Sequence, residues 1–138
     1  MAKWLRILGF DTAYYKSGAP QDLLERARRE GRRILTRSED LKRRDPSEVV
    51  LLKSEFLFDQ IQQVLEDLKL RKETRPFTRC SECNTPLEPR SREEARGRVP
   101  FFVYQTQTKF GYCPQCDRVY WEGTHHKEMV KQLERLGY

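Results

Sequence analysis

Apolar residues along this chain fall into short patches, each bounded by glycine, proline or a run of charge. Lys3 to Gly9 (Lys-Trp-Leu-Arg-Ile-Leu-Gly) has helical spacing and ends on the glycine that closes helices. Two turns are marginal alone, so this helix is expected to dock on other structure. Phe10 to Tyr15 alternates and predicts a short strand, broken by Gly18-Ala-Pro20. Pro20 to Glu30 reads as a helix, with proline at its start, Leu23, Leu24 and Ala27 on one stripe, and Gly31 as its stop. Arg33 to Thr36 and Glu48 to Lys53 are two further strands, apolar without alternation, as in strands covered on both faces. Ser54 is a candidate cap for a helix carrying Leu57, Ile61, Val64, Leu65 and Leu68.

Strands alternating with helices predict an α/β layer with a parallel sheet. The charged stretch from Lys69 to Arg75, followed by Pro76, has no apolar stripe and marks a boundary. Residues 1–75 are therefore expected to form an α/β domain, and residues 76–138 a second, smaller unit. In that second unit Val99 to Tyr104 and Arg118 to Trp121 read as strands. Thr124 is placed to cap a last helix with Met129, Val130, Leu133 and Leu136, ending at Gly137.

The second unit holds all four cysteines. They stand as Cys80-Ser-Glu-Cys83 and, after 29 residues, Cys113-Pro-Gln-Cys116. Each pair can present both sulfurs from one tight turn. Two such turns make the tetra-thiolate set of a structural zinc site, and the long intervening segment suits a zinc ribbon rather than a compact finger. Iron takes the same four sulfurs, so zinc and iron both remain open. Two disulfides would need an oxidising compartment, and no secretory signal precedes them. His125 and His126 are not needed as ligands beside four cysteines.

Charged residues make up 35% of the chain and the apolar classes 37%, so any core is small and a bound ion would support it. Net charge is +6 over 138 residues. No apolar run approaches the roughly 20 residues of a membrane span, so a cytoplasmic protein is expected. Basic residues crowd Arg26 to Arg44, which points to a polyanion such as RNA. The competing reading is a solvated helix face and loop. Arg33, Arg37, Arg43 and Arg44 are the candidate phosphate contacts. Tyr14, Tyr15, Phe101, Tyr112 and Tyr120 are candidates for stacking on unpaired bases. Asp11, Asp22, Glu39 and Asp40 are candidate carboxylates for Mg²⁺ or Mn²⁺. Helix N-termini also favour carboxylates at Asp22, and at Glu39 and Asp40 behind Ser38.

Several stretches together resemble a known family. They are Trp4 to Thr12, Asp22-Leu-Leu with Ala27, Arg33-Ile-Leu-Thr-Arg37, Arg79 to Asn84, Arg98-Val-Pro100, and Arg118-Val-Tyr-Trp-Glu-Gly-Thr-His125. They look like the PIN-like RNase domain with attached zinc ribbon named after the C-terminal part of Mut-seven exonucleases. The resemblance implies a PIN-like parallel sheet flanked by helices over 1–75, followed by a small β zinc ribbon with a C-terminal helix. It also implies cleavage of single-stranded RNA with Mg²⁺ or Mn²⁺, and a structural Zn²⁺.

Family members usually begin with an aspartate-bearing strand that has no counterpart here. The chain is thus N-terminally truncated relative to the family, and the natural protein is expected to start upstream. The acid usually found after the Thr-Arg pair is replaced by Ser38. Asp22 matches cleanly, and Asp40 or Glu39 reaches the second position by a register shift. Two functions follow: a metal-dependent ribonuclease using Asp22, Asp40 and Glu39, or a non-catalytic RNA-binding or ribosome-associated protein. Ribosomal RNA and tRNA are the candidate partners.

Overall fold

The computed structural model describes all residues, Met1 to Tyr138. Contacts divide the chain into two compact units: Met1 with residues 13–73, and residues 2–12 together with 74–138.

The first unit contains α1 (Pro20–Glu30), β1 (Ile34–Thr36), α2 (Glu39–Arg44), β2 (Val49–Leu51) and α3 (Leu57–Asp67). The two strands pair in parallel, with Ile34 opposite Val49 and Thr36 opposite Leu51. The helix α2 lies in the crossover between them. α1 has the predicted limits. Pro20 opens it, and Gly31 closes it in the left-handed conformation, its N–H reaching the Ala27 and Arg28 carbonyls. Its buried Leu24 and Ala27 join Ile34, Leu41 and Val49 in one cluster, with Leu23 packed against it. α3 buries Ile61, Val64 and Leu65. Ser54 sits two residues before its N-cap, which is Phe56. The Ser54 hydroxyl instead accepts from the Phe56 N–H and donates to Asp59, both at 3.0 Å.

One carboxylate is buried in this unit. Asp45, 7% exposed, ends α2. It accepts from Arg28 at 3.0 Å, from the Ser47 hydroxyl at 3.0 Å and from the Glu48 N–H at 3.2 Å. The Arg28 hydrogen bond, then those of Glu48 and Ser47, hold its carboxyl below the usual carboxylate range. A depressed folded value makes the ionised form stabilising above the unfolded value of about 3.9. That contribution disappears as pH falls through the folded value. Asp45→Asn should therefore lower the unit's melting temperature at neutral pH and flatten its acid dependence. Melting curves between pH 7 and pH 2 that run parallel for both proteins would exclude this role.

The second unit begins with α4 (Ala2–Ile7) and returns with β3 (Glu88–Arg90), α5 (Arg92–Ala95), α6 (Phe101–Thr106), β4 (Phe110–Cys113), β5 (Arg118–Tyr120) and α7 (Thr124–Glu134). Its three strands form an antiparallel sheet in the order β3-β4-β5. Gly9 follows α4 with φ +96°, and a Cβ there would lie 2.2 Å from the Arg75 carbonyl oxygen. Only glycine allows this approach, through which the Arg75 and Phe77 N–H groups bond the Leu8 and Ile7 carbonyls.

Two expected strands are absent. Phe10 to Tyr15 is irregular, because the Phe10 N–H bonds back to Leu5 and the Thr12 N–H goes to the Asn84 side chain. Val99 to Tyr104 folds largely into α6. Pro100 sits at the N-cap, and Arg92 covers the carbonyls of Tyr104 and Gln105 at 2.7 and 3.0 Å. Those contacts outweigh the strand preference of the Val-Phe-Phe-Val-Tyr run. At the last helix, Gly123 occupies the N-cap and no side chain caps it, so Thr124 is the first helical residue.

Candidate metal centre and acidic residues

The sulfurs of Cys80, Cys83, Cys113 and Cys116 all lie within 4.8 Å of one another. Cys83 and Cys113 approach to 3.3 Å, and Cys80 and Cys116 to 3.9 Å. None is joined in a disulfide. A tetrahedral zinc ion with bonds of about 2.3 Å requires sulfurs about 3.8 Å apart, so the donor set fits. His125 and His126 take no part in the cluster.

The backbone explains how two short turns achieve this. In each turn the residue after the second cysteine is left-handed: Asn84 at φ 75° and Asp117 at φ 55°. Asparagine and aspartate are among the non-glycine residues that best tolerate that conformation. The turn then reverses, and the Cys116 N–H points at the Cys113 sulfur at 3.3 Å.

Side chains next to the sulfurs complete the setting. Burial raises the Cys83 thiol, but the hydroxyl and N–H of Thr85 and the Cys113 and Cys116 thiols outweigh it and bring Cys83 to about 6. Facing Cys83, then through burial, Cys116 is pushed up to about 12. Without a cation the cluster thus favours one thiolate and opposes the next. A divalent ion held by the four cysteines would reverse that opposition by favouring the ionised form of its ligands. The Tyr120 hydroxyl lies 3.0 Å from the Cys80 sulfur. Burial and the facing sulfur raise its pKa, and against an ionised Cys80 sulfur, as in a metal-bound cluster, the hydroxyl would be the donor.

The first turn is also braced by the N-terminal residues. Arg6 donates to the carbonyls of Ser81 at 3.2 Å and Glu82 at 2.9 Å, and to Thr12 at 2.8 Å. Asn84 accepts from the Thr12 N–H at 2.9 Å and donates to Asp11 at 2.7 Å. Lys3 pairs with Glu82 at 3.1 Å. Spacing gave no sign of these roles, although all of these residues but Lys3 fall within the stretches that carried the family resemblance.

The acids are arranged otherwise. Asp22 is exposed in the first turn of α1. Glu39 and Asp40 open α2, capped by Ser38, whose hydroxyl accepts from the Leu41 N–H at 3.3 Å. Asp40 is held by Arg44 at 2.8 Å and Arg43 at 3.6 Å. The four cysteines are the one group of three or more metal-binding side chains whose ligand atoms converge. Asp22, Glu39 and Asp40 form no such three-ligand group as they stand in this structure.

The basic stretch is largely self-paired. Arg33 meets Glu48, Arg28 meets Asp45, and Arg26 and Arg32 meet Glu30. Lys42 covers the Pro46 and Val49 carbonyls. Arg37 is exposed and in no ion pair. Among the aromatic candidates, Tyr14 and Phe101 are 64% and 73% exposed. Tyr112 is packed by the guanidinium groups of Arg90 and Arg98, 4.6 and 5.2 Å from its ring.

A small parallel α/β layer together with a four-cysteine centre on a three-stranded antiparallel sheet has the parts of a zinc-ribbon α/β protein. The chain matches the Mut7-C RNAse domain over residues 1–133 and belongs to that family. No curated protein and no solved structure matches it. No helix is long and apolar enough to cross a membrane.

Proposed function

We propose that this protein is a ribonuclease acting on single-stranded RNA, with a PIN-like α/β domain over residues 1–75 and a zinc ribbon with its terminal helix over 76–138. The observation that carries this reading is membership of an RNase family over nearly the whole chain. Asp22, with Glu39 and Asp40, is assigned to the divalent metal of the reaction. Arg33, Arg37, Arg43 and Arg44, all exposed, are assigned to the RNA backbone. Zinc in the ribbon serves structure, not hydrolysis, because four thiolates leave no open position for water.

One observation favours a second reading, a non-catalytic RNA-binding protein. The acids do not converge, and Asp40 is engaged by two arginines. Incubation of labelled single-stranded RNA with Mn²⁺ separates the two. The ribonuclease cuts it, and Asp22→Ala lowers the rate by about 100-fold or more, as expected when a ligand of an ion stabilising the transition state is lost. RNA that stays intact, yet is bound with an affinity falling steeply as salt rises, establishes the binder.

A further inference from the structure

The second unit contains a cavity of about 550 Å³ that neither the metal centre nor the acidic residues use. Its size is that of a pocket for a small organic ligand. Much of one wall comes from the stretch Arg118 to His126, which closes β5 and opens α7. Tyr120, Trp121 and His126 line it, joined by Phe77. All four rings are half-buried, a state between packed core and solvated surface.

The rings are held in place. Phe77 and His126 pack with centroids 4.0 Å apart. The Tyr120 hydroxyl is fixed on the Cys80 sulfur. Gly123 lies so close under the indole that a Cβ there would sit 2.9 Å from the Trp121 ring nitrogen. Aromatic faces pre-set around an open space suit a planar heteroaromatic ring, and ordering them on binding costs little.

Charge indicates what that ring is attached to. Of the lining carboxylates, Glu82 is paired with Lys3 and Glu88 with Arg90. Lys109 and Arg118, also lining the cavity, are exposed and in no close ion pair, Arg118 acting only as a secondary charge on Glu82 after Lys3. They exceed the one remaining unpaired lining acid, Glu122. An aromatic cavity with surplus cations at its rim matches a base carrying a ribose phosphate.

We propose that this cavity is a nucleotide subsite of the ribbon unit, which takes one unpaired base of a single-stranded RNA against Trp121 and its neighbouring rings while Lys109 and Arg118 meet the adjoining phosphate. The subsite rests on the RNA reading above and adds to it where the strand is held.

The test uses the full chain with its metal and a fluorescently labelled ten-nucleotide single-stranded RNA, with anisotropy as readout. Trp121→Ala should weaken binding by about 10-fold or more, as loss of a stacked base does. Trp121→Phe should restore most of it. Lys109→Glu with Arg118→Glu should weaken binding and reduce the salt dependence, since fewer counterions are released. Metal content and melting temperature should stay at wild-type values, which a structural role for these residues would not allow. Should Trp121→Ala lose its metal, the exposed charge-reversal pair decides instead.

Wild-type protein that binds RNA, with Trp121→Ala and the charge-reversal variant binding equally well, overturns the subsite and leaves the RNA reading standing. Wild-type protein that neither binds nor cuts the RNA removes the RNA reading, and the subsite with it.

Discussion

Cys113→Ser is expected to unfold the ribbon unit and release its metal. The four sulfurs converge because two turns reverse at Asn84 and Asp117, and an ion bound by them would hold those turns together. The unit's sheet has strands of three or four residues, too short to be stable on their own. Structural zinc in small domains contributes about 10 kcal/mol or more of apparent binding energy, which in such domains is folding energy. Loss of one ligand therefore exceeds what a small apolar core can absorb. The measurements are metal content, falling from one ion per chain to none, and amide exchange over residues 74–138, rising to that of an unfolded chain. Chelation of the wild type should have the same effect. Unchanged thermal stability after chelation would show that the ion does not hold the fold. The same sample identifies the metal: zinc leaves it colourless, whereas iron in four thiolates colours it.

Leu24→Ala should bring the first unit to the edge of unfolding. Leu24 is 3% exposed and lies at the centre of the cluster with Ile34, Leu41 and Val49, where α1 covers the two-stranded sheet. Removal of a buried leucine side chain to alanine costs about 2–5 kcal/mol, the upper part of the range where neighbours cannot collapse into the space. Strands are rigid neighbours, and a unit of this size has a total stability of only about 3–9 kcal/mol. Urea titration followed by circular dichroism should show the midpoint of this unit's transition moving to near zero denaturant. A loss below about 1 kcal/mol would mean that the cluster rearranges around the gap.

What the sequence made legible follows from where local chemistry decided the outcome. The helix Pro20–Glu30 has its limits written in Pro20 and Gly31, which act within one turn. The metal centre was legible because two matched cysteine pairs need only tight turns. Val99 to Tyr104 was misread because its fate lies with Arg92, seven residues upstream of Val99, whose guanidinium covers the helix end. Phe10 to Tyr15 was misread because the Thr12 backbone is satisfied by Asn84 rather than by a neighbouring strand. The acids were ambiguous from the start. Asp22, Glu39 and Asp40 carry the signature of helix starts as well as that of metal ligands, and all three sit in first turns.

The bond from Asn84 to residues 11 and 12 has a consequence for the order of synthesis. Its partners are made early, and the turn they brace follows 72 residues after Thr12, with the second cysteine pair later still. A fragment starting at Thr74 would carry every sulfur but lose the Arg6, Asp11 and Thr12 contacts around Cys83. It should capture its ion more weakly than the intact chain.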